Sequence, residues 1–326
     1  VVDYEATLPA KVEEFAAKAK VGEIPTRWHL LTPATVTASD KSKVEILPDG
    51  SVKGSGGERA FDYLVSGETK LSNITGLMIE TVPDLSFNGG PGLSKDGNMV
   101  ITEVQARWQA KAEGSEGKGI VFADAKATFT QNQFDVKRAF DGNLDGGNRG
   151  WALAGANLKI PQRAAFKFKD AAAGDSENGA TLTVGVLCRF KSHPIGRFRV
   201  YVTTAADPLN FGIPAHIADA FGKAAGQRSE EEKRLLAAWV GESDAELQNR
   251  RWAAKGPFPP VPAGKKMEEL NKALKYAEMP IEEDPRLIRF RKDLEISARQ
   301  AKNSRLTAAQ DLTWALINNP SFLFNH

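Results

Sequence analysis

The spacing of hydrophobic positions changes along the chain. Over residues 5–20, EATLPAKVEEFAAKAK, the positions Leu8, Val12, Phe15 and Ala16 recur at helical steps and can share one face. GEIPT then ends the segment, because glycine and proline both break helices. From Arg27 to about Thr204 the runs are short and often β-branched, with turn residues between them. KVEILPDGSVKGSG, FDYLVSG, ITGLMIETV, MVITEVQARW, KATFTQ, RAAFKFKD, ATLTVGVLCRF and GRFRVYVTT read as strands. PDGS at 48–51 predicts a hairpin turn, with proline pre-setting φ and glycine accepting left-handed geometry. ITGLMIETV and GRFRVYVTT alternate over part of their lengths, as strands with one buried face do. Helices of crossover length are missing between the runs, which argues against a doubly wound fold. The expectation is a mainly β protein: an N-terminal helical segment over 1–26, an antiparallel β-sandwich over 27–210 and an α-helical region over 211–326.

The helical region carries three capping-box spacings: Ser229 with Glu232, Ser243 with Glu246, and Thr307 with Gln310. PFPPVP at 257–262 is a stiff break. From Asp284, DPRLIRFRKDLEISARQAKN places Leu287, Phe290, Leu294 and Ala298 on one stripe with arginine and lysine elsewhere. That is an amphipathic packing helix. TAAQDLTWALIN gives a shorter, more apolar one.

Composition narrows the function. The 326 residues are 41% hydrophobic and 26% charged, with a formal charge of +2. This is globular composition, and it gives no general argument for a nucleic-acid or anionic-membrane partner. The basic and aromatic residues of FKFKD and RFRVYV are explained by strand alternation, so no nucleic-acid partner is expected. One cysteine, Cys188, stands in an apolar run and reads as a small core residue. Four widely spaced histidines form no HExxH, and no CxxCH haem attachment occurs. No apolar stretch reaches membrane-spanning length. The chain opens on Val1 without a leader pattern, so the N-terminus does not reveal its location.

Two loops hold most of the candidate chemistry. FDGNLDGGNRGWA, residues 140–152, offers Asp141, Asn143 and Asp145 as oxygen ligands for calcium, with loop carbonyls to complete the shell. It is not an EF-hand, since the terminal glutamate is absent. An Asx-turn corner between strands is the competing reading. Trp151 is either a ligand-facing ring or core. PDLSFNGGPGLSKDGN, residues 83–98, offers Asp84, Asn88 and Asp96 as polar contacts and Phe87 as an aromatic platform. Long loops on a rigid sandwich are good binding positions, and an aromatic with polar groups suits a sugar. Enzyme templates fit less well. His193 has no partner assignable from spacing. Glu80, Glu103 and Asp84 could supply the two carboxylates of a glycan hydrolase only if they faced one cleft.

RAFDGNLDGGNRGWA resembles the A-x-D-G-N-x-x-T-x-W segment of discoidin-like, galactose-binding-like sandwiches. Asp141, Gly142, Asn143 and Trp151 match its order, while glycine stands in the threonine position and the spacing to Trp151 is longer. In those domains the segment is a structural corner, often beside calcium. RWHLLTPATVTAS, LPDGSVKGSG, ITGLMIETVPD, GPGLSKDGNMVITEVQARW and RLTAAQDLTWALINNPSFLFNH resemble the C-terminal part of large planctomycete proteins. These carry the domains named DUF1549 and DUF1553, commonly after a planctomycete-type cytochrome c domain. The closing segment from Arg305 to His326 resembles the end of the DUF1553 region. The resemblance implies an extracytoplasmic protein of the periplasm or cell envelope, with a haem module elsewhere in the parent and no covalent haem in these residues.

The expected function is a non-catalytic extracytoplasmic binding module, for carbohydrate. Asp84, Phe87, Asn88 and Asp96 form its expected ligand site, with calcium at Asp141, Asn143 and Asp145. The alternative is a structural or assembly module that contacts other domains of a larger cytochrome c-containing protein. A glycan-active enzyme ranks below both.

Overall fold

The computed structural model describes residues 1–55, 59–111, 114–172, 178–255, 272–275, 277 and 284–319. The expected break at 257–262, residues 56–58 and the closing residues 320–326 lie outside the described residues. The chain forms two compact units, Val1–Pro257 and Phe258–His326.

In the first unit, helices α1 (Val2–Glu5) and α2 (Leu8–Ala19) precede the strands. These are β1 (Arg27–Leu30), β2 (Pro33–Ala38), β3 (Lys43–Ile46), β4 (Val52–Ser55), β5 (Phe61–Thr69), β6 (Ile74–Thr81), β7 (Val100–Ile101) and β8 (Glu103–Ala110). After them come β9 (Lys118–Gly119), β10 (Phe122–Ala127), β11 (Trp151–Ala152), β12 (Arg163–Ala172), β13 (Ala180–Cys188), β14 (Arg197–Thr203) and β15 (Ile213–Pro214). Helices α3 (Ala215–Gly222), α4 (Glu230–Ser243) and α5 (Ala245–Ala254) end the unit.

One sheet runs β2-β5-β13-β8-β9. The other runs β10-β12-β6-β14-β1-β15, with the β3–β4 hairpin joined through β4 to β14. Pairing is antiparallel except at β1–β15. The core lies between the sheets. Ile79, Phe166, Phe198 and Val200 from one face meet Tyr63, Val65, Val104 and Val184 from the other. Tyr63 is buried but satisfied, donating its hydroxyl to the Ile195 carbonyl at 2.5 Å.

The larger sheet is covered on its outer side too. Alternation sends Glu80, Arg199 and Tyr201 away from the core, yet all three are buried. Trp28, Met78, Ala165 and Tyr201 form an apolar cluster of their own. The helices pack among themselves through Val12, Ile217, Ala220 and Leu236, and through the rings of Phe15, Phe221 and Trp239. Antiparallel sheets with an N-terminal helix and a C-terminal helical region make this a mixed α/β sandwich-like fold, rather than a clearly mainly β one.

Local details separate the expected signals. The Ser229–Glu232 capping box forms as expected. The Ser243–Glu246 spacing does not, because Ser243 still belongs to α4 and Asp244 caps α5 by accepting from the Leu247 N–H at 2.9 Å. Thr307 does not start a helix either. It lies inside Ser304–Ile317, bonded back to the Asn303 carbonyl. The strand expected at KATFTQ sits earlier, at Phe122–Ala127.

In the second unit, helices Pro285–Lys302 and Ser304–Ile317 keep the expected stripe exposed. Phe290 is 67% and Trp314 71% accessible. Among the described residues no helix is long and apolar enough to cross a membrane.

Leu236 is fully buried where α4 meets α2 and α3. Leu236→Ala should cost about 2–5 kcal/mol, read as a lower urea midpoint.

Candidate functional site

A chain of ion pairs crosses the outer face of the larger sheet. Arg199 and Tyr201 sit two apart on β14, and Glu80 lies on neighbouring β6 in register with Arg199. Arg199 Nη1 donates to Glu80 at 3.2 Å and to Glu242 of α4 at 3.0 Å. Its Nη2 donates to Asp49 at 2.6 Å and to the other Glu242 oxygen at 3.0 Å. Glu80 also accepts from Arg163 Nε at 2.9 Å and from the Tyr201 hydroxyl at 3.1 Å. Arg197 continues the chain by bridging Asp49 at 2.8 Å and Asp84 at 3.2 Å. Lys53 closes it on Asp84 at 3.0 Å.

These partners set the charges. Burial pushes the Glu80 carboxyl up, but Arg163 and Arg199 outweigh it and hold it below the usual carboxylate range. Burial also opposes the charged form of Asp84, yet hydrogen bonds from Ser86 and Lys53 bring it down to about 2. Asp49 is lowered likewise, against burial, by Ser51 and Arg199. Burial works against the Arg199 cation, and Glu242 and Glu80 more than restore it. Each carboxylate is held ionised, so none of these three is a proton donor near neutrality.

Two hollows flank the chain. The first, about 310 Å³, is lined by Asp84, Lys159, Arg197, Glu242, Gln248 and Arg251, with Val82, Pro83, Leu85 and Pro161. The ring of Trp252 seats against Gly89 of the adjoining loop. The second, about 380 Å³, lies between the β3–β4 turn and α4.

The 83–98 loop folds on itself. Asp84 accepts from the Ser86 N–H at 2.8 Å and its hydroxyl at 2.6 Å, as a cap. Phe87 packs where a side chain on Gly196 would stand, under the Lys53 ammonium at 5.1 Å. Asn88 takes a left-handed conformation and donates to the Lys95 carbonyl. Asp96 accepts from Ser94 Oγ at 2.6 Å and the Asn98 N–H at 3.1 Å. Asp84 lines the first hollow. Asp96 lines a different one with Ser94, Lys95, Ser192 and His193. The four expected ligand residues therefore share a loop but not a pocket. His193, for which spacing suggested no partner, lines that hollow with Asp96. The imidazole Nδ1 itself meets the Lys191 carbonyl at 2.8 Å.

The 140–152 loop is stapled by its own groups. Asp141 accepts from the Asn143 N–H at 3.0 Å and from Arg149 Nη2 at 2.7 Å. Asn143 accepts from the Asp145 N–H at 2.9 Å. Gly150, at φ +85°, lies so close to the Ile101 carbonyl that a Cβ would meet it at 2.1 Å. Trp151 is core, fully buried and donating to the Phe129 carbonyl at 2.8 Å. The guanidinium of Arg149 lies on one side of Asp141, the first of the residues expected to hold calcium.

Glu103 lies under the same corner, 3% exposed. One oxygen accepts from the Gly142 N–H at 3.1 Å, and the other has no hydrogen-bond partner. Burial pushes its carboxyl up to about 7, against the Gly142 bond and with help from the Asp141 charge. On β8 the core residues are Val104 and Ala106, so Glu103 faces outward from the smaller sheet. Glu80 faces outward from the larger one. Sheets stack about 10 Å apart, so the two carboxyls look away from each other across the sandwich. A glycan-hydrolysing pair needs about 5–10 Å across a shared cleft. The single cysteine of the chain, Cys188, is buried, and a two-cysteine haem attachment has no residues to use.

No family model matches the chain, and no curated protein matches it. Among solved structures it is similar to TmCBM61 in complex with β-1,4-galactotriose, at 9% identity and a TM-score of 0.20. The match covers 54% of this chain and 87% of that one. At that score the likeness carries no argument.

A carboxyl raised on folding binds its proton more tightly in the folded state, so its contribution to stability falls as pH rises. The loss from Glu103 should run from its ordinary 4.5 to about 7. Glu103→Gln should remove that component, so the stability difference between variant and parent grows in the variant's favour over this window. Urea titrations at several pH values would show it, and a difference flat across the window would contradict the burial argument.

Proposed function

We propose that the chain is a non-catalytic, extracytoplasmic module that binds a glycan through the hollow beside Asp84. The observation behind this reading is the hollow itself. Six hydrogen-bonding side chains, both donors and acceptors, line a concavity fixed by β14, α4 and α5, as polyol recognition requires. The charged groups among them include carboxylates held by arginine, which suit positioning rather than proton transfer. The sandwich is read as galactose-binding-like on the strength of the Asp141–Trp151 segment. The planctomycete resemblance supports the cell-envelope location and parent domains as neighbours. Of the four loop residues expected at the site, Asp84 keeps a contact role. Phe87, Asn88 and Asp96 serve to shape the loop.

A glycan-array screen of the isolated chain, with β-1,4-galactotriose included, tests the reading. We expect a saturable hit that weakens in Lys159→Ala and Gln248→Ala. No hit across plant, algal and bacterial glycans would remove it.

Calcium at Asp141, Asn143 and Asp145 is tested separately. The Arg149 staple leads us to expect no change in Tm on chelation or on added calcium, and a lower Tm for Arg149→Ala. A calcium-dependent rise in Tm would mean that the ion displaces the guanidinium, since a ligand of the folded state stabilises by linkage.

One observation favours a second reading, an assembly module within a larger protein. Leu287, Phe290, Leu294, Leu312 and Trp314 are all exposed on the helices of the second unit, more apolar surface than scattered single residues give.

A further inference from the structure

The second hollow is not formed by the loop singled out in the sequence. Its one wall is a single face of α4. Leu235, Ala238, Trp239 and Glu242 recur at the spacing that puts side chains on the same side of a helix, and all four line it. The opposite wall is the turn Leu47–Gly50 of the β3–β4 hairpin. Gly50, at φ +73°, seats that turn so tightly on Leu30 that an added Cβ would lie 2.7 Å from its Cδ2. The floor is Arg199 and Tyr201, whose side chains share the outer face of β14.

The lining is therefore amphipathic in an ordered way. An indole and aliphatic side chains form the walls, and carboxylates fixed by Arg199 lie at the base. The Asp49 and Glu242 oxygens are already oriented by the guanidinium, and a carboxylate oxygen accepts more than one hydrogen bond. Of the charged groups lining the hollow, the carboxylates of Asp49 and Glu242 are both already bonded to Arg199, so neither is left unpaired to select a cation. A saturated ring with an apolar face and several hydroxyl donors matches walls and floor together.

We propose that this hollow is a subsite for one neutral pyranose residue, with its ring face toward Trp239 and its hydroxyls donating to Asp49 and Glu242. The proposal rests on the glycan-binding reading and adds a second position to it, on the far side of Glu242 from the Asp84 hollow. Both hollows touch Glu242, so one oligosaccharide passing over α4 can engage both.

The test fills the hollow without touching the ion pairs. Ala238→Trp on α4 and Ile46→Trp on the facing wall are each checked for native circular dichroism. Glucose, galactose, mannose and N-acetylglucosamine are then titrated by calorimetry, with glucuronate and glucosamine as charged counterparts and β-1,4-galactotriose as the longer probe. We expect a saturable titration with at least one neutral monosaccharide, weaker for the charged counterparts and lost in both filled variants. Filled variants that bind the monosaccharide like the parent would overturn the subsite. So would oligosaccharide binding without any monosaccharide titration and unaffected by filling, and that result would leave the Asp84 hollow standing. No binding of any saccharide by the parent protein would end both.

Discussion

Arg199 is the residue on which the helical layer and the larger sheet depend. It is only 7% exposed, and it holds three carboxylates from three places: a hairpin turn, a neighbouring strand and a helix. Burying such a group is costly, because desolvation offsets much of the attraction between the charges. Packed apolar side chains would give comparable stability. The ion pairs provide direction instead. A guanidinium offers donors in a fixed fork, so Glu242 can meet it in one way only. That fixes the rotation of α4 about its axis and its position along the sheet. The apolar contacts of Leu236 and Val12 add cohesion but tolerate sliding far better than a bidentate pair does.

The same constraint explains why hollows occur beside α4. Long arginine side chains and their carboxylates stand between helix and sheet, so the two backbones cannot close to the distance that small apolar residues allow. Trp239 and Leu235 then overhang the sheet on one side of Glu242, while Gln248 and Arg251 do so on the other. The hollows here are a consequence of how the layers are joined rather than of loop length. The loop of 83–98 shows the converse. Its glycines allow backbone to pack on backbone, with Gly92 so close to the Asn98 carbonyl that no side chain fits. Its aspartates serve as caps and turn closures, and most of its polar atoms are spent inside it.

This contrast shows what the sequence could reveal. Local chemistry was legible. The turn expected at PDGS, 48–51, forms one residue earlier, closed by the Gly50 N–H on the Leu47 carbonyl. Ser229 caps its helix, and Asp141 with Asn143 closes consecutive Asx turns. Strand positions followed from period-two patterning in most runs. The outer face of the larger sheet was not legible. Arg197, Arg199 and Tyr201 alternate with Phe198, Val200 and Val202, and that pattern is the same whether the polar side faces water or a second layer. Burial of the polar side depends on helices encoded downstream, which local periodicity does not sense. That Asp96 and His193 line one hollow is hidden for the same reason, since the Gly92–Ile195 bridge brings together segments far apart in sequence. One signal did lie in the sequence. The spacing of Leu235, Ala238, Trp239 and Glu242 marks a helix face ending in a carboxylate, and the indole of that face both packs on Phe15 and Phe221 and lines the second hollow.

The two buried acids, Glu80 and Glu103, show how environment rather than residue type sets the role. Both are nearly inaccessible and both leave the core face of their sheets. Glu80 has two arginines and a tyrosine around it, so its charge is compensated and it works as a structural anion. Glu103 has one backbone N–H and an oxygen with no hydrogen-bond partner, while Arg149 gives its Nη2 to Asp141 and leaves its buried Nε without one. The corner therefore leaves a buried polar atom of each, Glu103 and Arg149, without a hydrogen bond. A proton on Glu103 removes its buried charge at lower pH, and a neutral amide would remove it at any pH. Of the two acids at the corner, Asp141 takes the Nη2 of Arg149, while burial governs Glu103 and raises its carboxyl.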